Sequence, residues 1–277
     1  MLIIDASPRL WTPADLPIGT LSLWLDAADL STITVSGSGV SQWRDKSGNG
    51  RHWSQSSDAQ RPSLSTSGGL PSILWDGSND SLQRNPESWA FVYPVSFFVS
   101  LRAVSWTNAY NSPFEFYTAP STFTAGWVYL IKSNGKSACY INDTAGNQRN
   151  YDGTGALTFS TNSTNILCGT IGNGFINTWG NGAVDGTVSG AWTQRTNLGT
   201  LSVDVGSGVK FNRFTNWRIY EAAVFTGFTL TAEFRQRMEG YMAWRANSFG
   251  DLTALNNLAA AHPLHPFKNR PPLVSDI

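Results

Sequence analysis

The 277-residue chain carries 19 Lys and Arg against 19 Asp and Glu, a formal net charge of zero, and only 14% of its residues are charged. This excludes the basic footprint of a nucleic-acid binder, and with no apolar run of about 18 residues it argues against a membrane-spanning helix. Twelve Trp, 26 Gly and 13 Pro point to short strands joined by tight turns.

The length suits one large β-sandwich with a sizeable core. Near-neutrality gives weak colloidal repulsion, which suits a protein held in an assembly. The N-terminus MLIIDASPRLWTPADLP lacks a basic start, and Asp5 and Pro8 interrupt its apolar run. It does not read as a signal peptide, so the expected site of synthesis and assembly is the cytoplasm.

Residues 1–20 read as an extended arm. Pro8, Pro13 and Pro17 resist both helix and central strand. Leu2, Ile3, Ile4, Leu10 and Trp11 are nevertheless costly to leave in water. The arm is therefore expected to bury itself, either on its own sandwich or on a neighbouring subunit. Regular structure starts at LSLWLDA, with Leu21, Leu23 and Leu25 on one face and Trp24 on the other.

The stretch WRDKSGNGRHW, residues 43–53, is glycine-rich and charged. A phosphate loop of the GxxxxGK[ST] kind needs its Lys at a helix start. Here Lys46 precedes the glycines and no helical pattern follows, so the stretch reads as a turn. From there to about residue 221 short apolar runs alternate with Gly, Asn, Asp and Ser. SILW (72–75) is followed by DGSND. VSFFVSLRAV (95–104) is apolar nearly throughout and reads as central. GWVYLIK and KSACYIN around SNG form a hairpin signal, and Asn181-Gly182 is a second. FTNWRIYEAAVF (214–225) closes the β section. The spacing of Phe234, Met238, Tyr241, Met242 and Arg245, with Thr231 as N-cap, predicts one helix near 232–248. The domain spans 21–250, and the Pro-rich tail 251–277 is expected to be extended.

Candidate chemistry is sparse. The glutamates are Glu87, Glu115, Glu221, Glu233 and Glu239. No predicted strand holds two on one face, as a glycosidase pair a few Å apart would need. Glu115 and Glu221 could meet only through the tertiary fold. Asp26 and Asp29 read as capping or turn residues. His52 sits at a turn. His262 and His265 lie among prolines with no acid or Cys nearby in sequence, a poor metal site. Cys139 and Cys168 read as two free thiols, with one disulfide as the alternative, and the absence of a CxxC excludes a zinc ribbon.

LWLDAADLSTIT, VSQWRDKSGNGRH, PSILWDGSNDSL, VSFFVSLRAV, the Asn-Gly hairpin, WRIYEAAVF and AEFRQRMEGYMAWR occur in that order. Together they resemble the concanavalin A-like, laminin-G-like jelly-roll domains, most closely the group common in tailed phages and marine bacteria and of the kind found in tailed-phage structural proteins, over residues 20–267. The resemblance implies an all-β antiparallel sandwich with one C-terminal helix covering an edge or end. It implies a non-enzymatic virion protein, a capsid decoration or a tail or fibre component, with other virion proteins or further copies of itself as partners. The alternative is a carbohydrate-binding module, and a glycoside hydrolase is a third reading. A sugar platform would use Trp106, Tyr110, Trp179 or Trp192. Similar domains sometimes hold calcium with oxygen ligands from turns, for which Asp76, Asn79 and Asp80 offer side chains. Asx-type hydrogen bonding within the turn is the reading preferred for those three over a calcium site. No other cofactor is implied.

Overall fold

A computed structural model describes residues 11–15, 20–66, 69–88, 92–106, 108–118, 126–152, 154–194, 200–208, 212–228, 230–248, 257–258 and 262. Strand β1 (Leu21–Asp26) is followed by the hairpin β2 (Ile33–Ser36) and β3 (Gly39–Trp43). β4 (Trp53–Ser54), β5 (Ser63–Ser65), β6 (Ser72–Asp76) and β7 (Leu82–Ser88) come next. β8 (Val95–Ser105) precedes a meander of β9 (Tyr110–Thr118), β10 (Gly126–Lys132), β11 (Ser137–Asn142) and β12 (Gln148–Asp152). A second meander holds β13 (Thr164–Gly172), β14 (Phe175–Gly180) and β15 (Ala183–Ser189). β16 (Thr200–Val205) leads to the short pair β17 (Ser207–Gly208) and β18 (Arg213–Phe214). β19 (Asn216–Thr226) ends at helix α1 (Ala232–Ser248).

All pairings are antiparallel. One sheet has nine strands in the order β12-β11-β10-β9-β16-β7-β4-β3-β2. The other has eight, in the order β15-β14-β13-β8-β19-β6-β5, with β1 also paired to β19. The fold is therefore the expected all-β sandwich. The apolar run at 95–104 is central, with β8 between β13 and β19.

The core between the sheets is aromatic. Trp43, Trp53, Trp75, Trp127 and Trp217 are fully buried there, and Phe97 and Phe116 stack on Trp127 at centroid distances of 5.2 and 4.4 Å. Alternation along β1 turns Leu23 and Leu25 into this core and Trp24 away from it. Turn chemistry fixes the hairpins. Asn181 and Gly182 both take positive φ, 51° and 84°, as a two-residue hairpin turn that follows strand twist requires.

The stretch 43–53 is the turn its composition predicts. Asp45 anchors it by accepting from the backbone N–H groups of Trp24 (2.9 Å), Ser47 (2.8 Å) and Arg51 (3.0 Å). Lys46 is held by carboxylates, Asp26 at 2.9 Å and Asp29 at 3.0 Å.

Helix α1 has the predicted bounds, but it covers neither an edge nor an end. It lies on the outer face of the eight-stranded sheet. Phe234, Met238 and Met242 pack on Phe98, Ile166, Cys168 and Phe225. The physical reason is visible in β8, where adjacent Phe97 and Phe98 point to opposite faces and are both apolar. A sheet apolar on both sides needs two covering layers. Trp11 joins this second layer, 2% exposed, with its ring edge-on to Phe234 and Tyr241. The described part of the arm thus buries itself on its own fold, and residues 1–10 and 16–19 lie outside the described set. In the tail, Leu258 and His262 are also buried.

Candidate functional site

The two outer faces of the sandwich differ. The eight-stranded face lies under α1. The nine-stranded face carries one residue from each strand in a continuous cross-strand row: Asn150, Tyr140, Val128, Glu115, Asp204, Gln83, Ser54, Gln42 and Thr34. At roughly 4.8 Å per strand the row is about 38 Å long. Its centre is roofed, because β17 and β18 lie against β9 and Arg213 reaches from β18 to Glu115 at 2.7 Å. Glu115 and Asp204 are each 1% exposed.

The flank beside this roof is half-exposed. Tyr110 and Tyr140 stand there on an apolar floor of Val128, Leu130 and Ala138. Lys132 Nζ lies 5.2 Å from the Tyr110 ring centroid and the Arg213 guanidinium carbon 5.4 Å. Lys132 Nζ is also 2.9 Å from Asp152 Oδ1. The Tyr140 hydroxyl bonds to Asp152 and, with Lys132, holds that carboxyl below its usual range. The bond to Asp152 in turn raises the Lys132 ammonium. Burial raises the Tyr140 hydroxyl, and Asp152 adds to the rise. Burial likewise lifts Glu115, against the pull of Arg213. The patch is thus two aromatic rings among fixed donors and acceptors of both charge signs.

Of the four aromatic residues predicted as sugar platforms, Tyr110 alone lies in this patch. Trp106 is half-buried and packs on the main core. Trp179 lies on the opposite, helix-covered face, with the Arg235 guanidinium 5.0 Å over its ring. Trp192 packs on the main core with Arg149 5.6 Å from its ring. The structure does not bring the four together: Tyr110 and Trp179 lie on different sheets, and Trp106 and Trp192 follow strand ends and pack inward.

Asp76, Asn79 and Asp80 form a turn after β6. Asp76 Oδ1 accepts from the N–H groups of Ser78 (2.7 Å) and Asn79 (3.4 Å), and Asp80 Oδ2 accepts from Asp76 N–H at 2.9 Å. Burial lifts the Asp80 carboxyl to about 6. Among the described residues no group of three His, Cys, Asp or Glu side chains is placed to hold a metal ion.

Glu115 and Glu221 do not meet. They face outward from different sheets, one toward Arg213 and the other toward α1. Two acid pairs that sequence reading missed form instead across strands, Glu115 with Asp204 and Asp26 with Glu221. Asp26 and Glu221 are buried together. Asp26 bonds to Arg245 and Lys46 at 2.8 and 2.9 Å, so it is an ion-pair centre and not merely a turn residue. Glu221 Oε1 accepts from Trp24 Nε1 at 2.7 Å and the Tyr241 hydroxyl at 3.1 Å. The signal that could have found this pair is the lone acid in each of the apolar runs LSLWLD and WRIYEAAVF.

The tertiary fold brings His262 to an acid that lies far from it in sequence, and a Cys shares that acid. His262 Nε2 is 3.0 Å from Glu239 Oε2, and Cys168 Sγ donates to Glu239 Oε1 at 3.4 Å. Arg235 satisfies both Glu239 oxygens. Cys139 and Cys168 are buried free thiols, one in each hydrophobic layer. Glu87 and His265 fall outside the described side chains.

No protein-family model and no curated protein matches the sequence. The fold, however, is shared with solved structures. The botulinum neurotoxin serotype G binding domain superposes with a TM-score of 0.53 at 14% identity, over 79% of this chain and 52% of that one. The binding domain of Paraclostridial Mosquitocidal Protein 1 gives 0.53 at 11% identity, over 77% and 50%. The botulinum neurotoxin serotype D ligand-binding domain, solved with N-acetylneuraminic acid, gives 0.52 at 14%, over 78% and 49%. The chain spans about half the length of these structures, and what it has in common with them is the β-sandwich fold.

Proposed function

We propose that this protein is a non-enzymatic carbohydrate-binding domain that takes its glycan on the Tyr110–Tyr140 flank of the nine-stranded sheet. The observation that carries this reading is the pair of half-exposed rings on an apolar floor, edged by the Lys132–Asp152 and Arg213–Glu115 ion pairs. A sugar ring has apolar C–H faces and a polar rim, and this surface offers the complement of both. The two cross-strand acid pairs support binding over catalysis. Each is buried and engaged by Arg or Lys, so neither of these two pairs is open to a glycosidic bond. The fold neighbour solved with N-acetylneuraminic acid favours the same class of ligand. The virion role implied by the motif order rests on that sequence resemblance alone.

A glycan array read with the intact chain, followed by titration calorimetry, tests the proposal. Tyr140→Ala and Tyr110→Ala should each weaken the bound glycan about tenfold, the loss of roughly 1.4 kcal/mol expected for one stacking contact. Unchanged affinity in both variants, at native melting temperature, would remove the sheet face as the site.

A further inference from the structure

The β14–β15 turn, the segment 157–159 and Asn257 border an open cavity of about 150 Å³. Leu157, Phe159 and Ala183 give it an apolar lining, and Thr158, Asn181 and Asn257 give it polar groups. Gly180 completes the wall. A Cβ there would stand 2.4 Å from Phe159 Cε1, so the missing side chain is what lets the Phe159 ring close against the strand.

Both amides are fixed from outside the cavity. Asn181 Oδ1 accepts from Ile166 N–H at 2.8 Å, and its Nδ2 donates to Asn165 Oδ1 at 3.0 Å. Asn257 Nδ2 donates to Ser163 Oγ at 2.6 Å and to the Thr164 carbonyl at 2.9 Å. A carboxamide has two N–H donors and one carbonyl oxygen. Among the described residues, one N–H of Asn181 and the Oδ1 of Asn257 are therefore left without a partner. Among the described residues no charged side chain lines the cavity.

We propose that this cavity binds the acetamido group of a neutral N-acetylhexosamine. An acetamido group carries one carbonyl, one N–H and a methyl. Asn181 supplies a donor for the carbonyl, Asn257 an acceptor for the N–H, and Leu157, Phe159 and Ala183 a surface for the methyl. An apolar cavity of this volume holds a benzene ring, so the smaller acetamido group fits and the pyranose ring stands at the mouth beside Thr158. Arg235, the guanidinium nearest the turn, is held by both oxygens of Glu239, so the described lining favours a neutral sugar over a carboxylated one. The cavity is on the other sheet from the Tyr110–Tyr140 flank, so it stands or falls separately from that surface.

The test is ligand-observed saturation-transfer NMR and a titration with N-acetylglucosamine, with glucose as the control probe. N-acetylglucosamine should bind with its acetamido methyl the most strongly saturated, and glucose at the same concentration should not. Ala183→Trp, which fills the cavity from a half-buried edge-strand position, should weaken binding at least tenfold. Asn257→Ala, which removes the acceptor, should do the same and decides the matter if Ala183→Trp lowers the melting temperature sharply. Tyr140→Ala should leave N-acetylglucosamine binding unchanged. Equal binding of glucose, no binding of N-acetylglucosamine, or binding that survives both cavity variants overturns the proposal. Binding lost only in Tyr140→Ala overturns it too, and assigns the sugar to the sheet face.

Discussion

Glu221 shows how one side chain ties pH to stability. It is buried beneath α1, and that burial, reinforced by Asp26 and opposed by Arg245, lifts its carboxyl from 4.5 to about 7. The folded state therefore holds a proton that the unfolded state has released between about pH 4.5 and 7. The sign follows: stability falls as pH rises through this window, and the whole penalty, of order 3 kcal/mol at most, is present above pH 7. Glu221→Gln keeps an oxygen to accept from Trp24 Nε1 and the Tyr241 hydroxyl while removing the titration. Thermal melts should give the variant and parent similar Tm values at pH 5, and the variant the higher Tm at pH 8. A variant that melts lower than the parent at pH 8 would mean that Arg245 needs the carboxylate charge, and the burial argument would fail.

Two elements depend on contacts that their own sequences do not advertise. The arm is held by Trp11, whose indole sits against Phe234 and Tyr241 of α1. Trp11→Ala leaves a cavity and should cost the isolated domain about 3–5 kcal/mol, read as a lower midpoint in urea. A change below 1 kcal/mol or so would mean the arm is not part of this fold and would revive docking on a neighbour. The β17–β18 hairpin depends on Gly206, which has a φ of +76° and lies where a Cβ would be 2.3 Å from Trp75 Cε2. Its carbonyl accepts from Trp217 Nε1 at 3.1 Å and from the Thr215 hydroxyl. Gly206→Ala combines left-handed strain of about 1–2 kcal/mol with overpacking of about 1–3 kcal/mol. It should destabilise the fold by a few kcal/mol in the same urea assay, and it should loosen the roof that Arg213 makes over Glu115.

At the scale of the molecule, the protein is a three-layer stack: a nine-stranded sheet, an eight-stranded sheet and α1. The helix layer shields Phe98, Ile166, Cys168 and Phe225, a patch that would otherwise invite association. A chain ended at residue 230 should bind an apolar dye and aggregate. Its Cys168 should react with a thiol reagent, while Cys139, inside the sheet-to-sheet core, should stay protected. Both thiols reacting at the same rate would mean that the sandwich itself had opened and that α1 is integral to folding, not a cover.

The elements and their kinds were legible in the sequence because the signals are local. Alternation of side chains marks β1, continuous apolarity marks β8 as central, Asn181-Gly182 can adopt positive φ where few other pairs can, and helical spacing after Thr231 bounds α1. The candidate site was legible in one residue, Tyr110. Tyr140, Lys132, Asp152 and Arg213 come from four other strands, and only the tertiary fold sets them beside it. The same holds for Glu115 with Asp204 and Asp26 with Glu221, partners far apart in the chain that become neighbours through strand pairing. Composition likewise could not say which of 12 tryptophans were core, since a Trp in a strand faces inward or outward according to a one-residue step in register. Which sheet face α1 would cover was beyond local pattern for the same reason. Sidedness belongs to the assembled sheet, because a strand acquires an inside and an outside only once its neighbours and the opposing layer are in place.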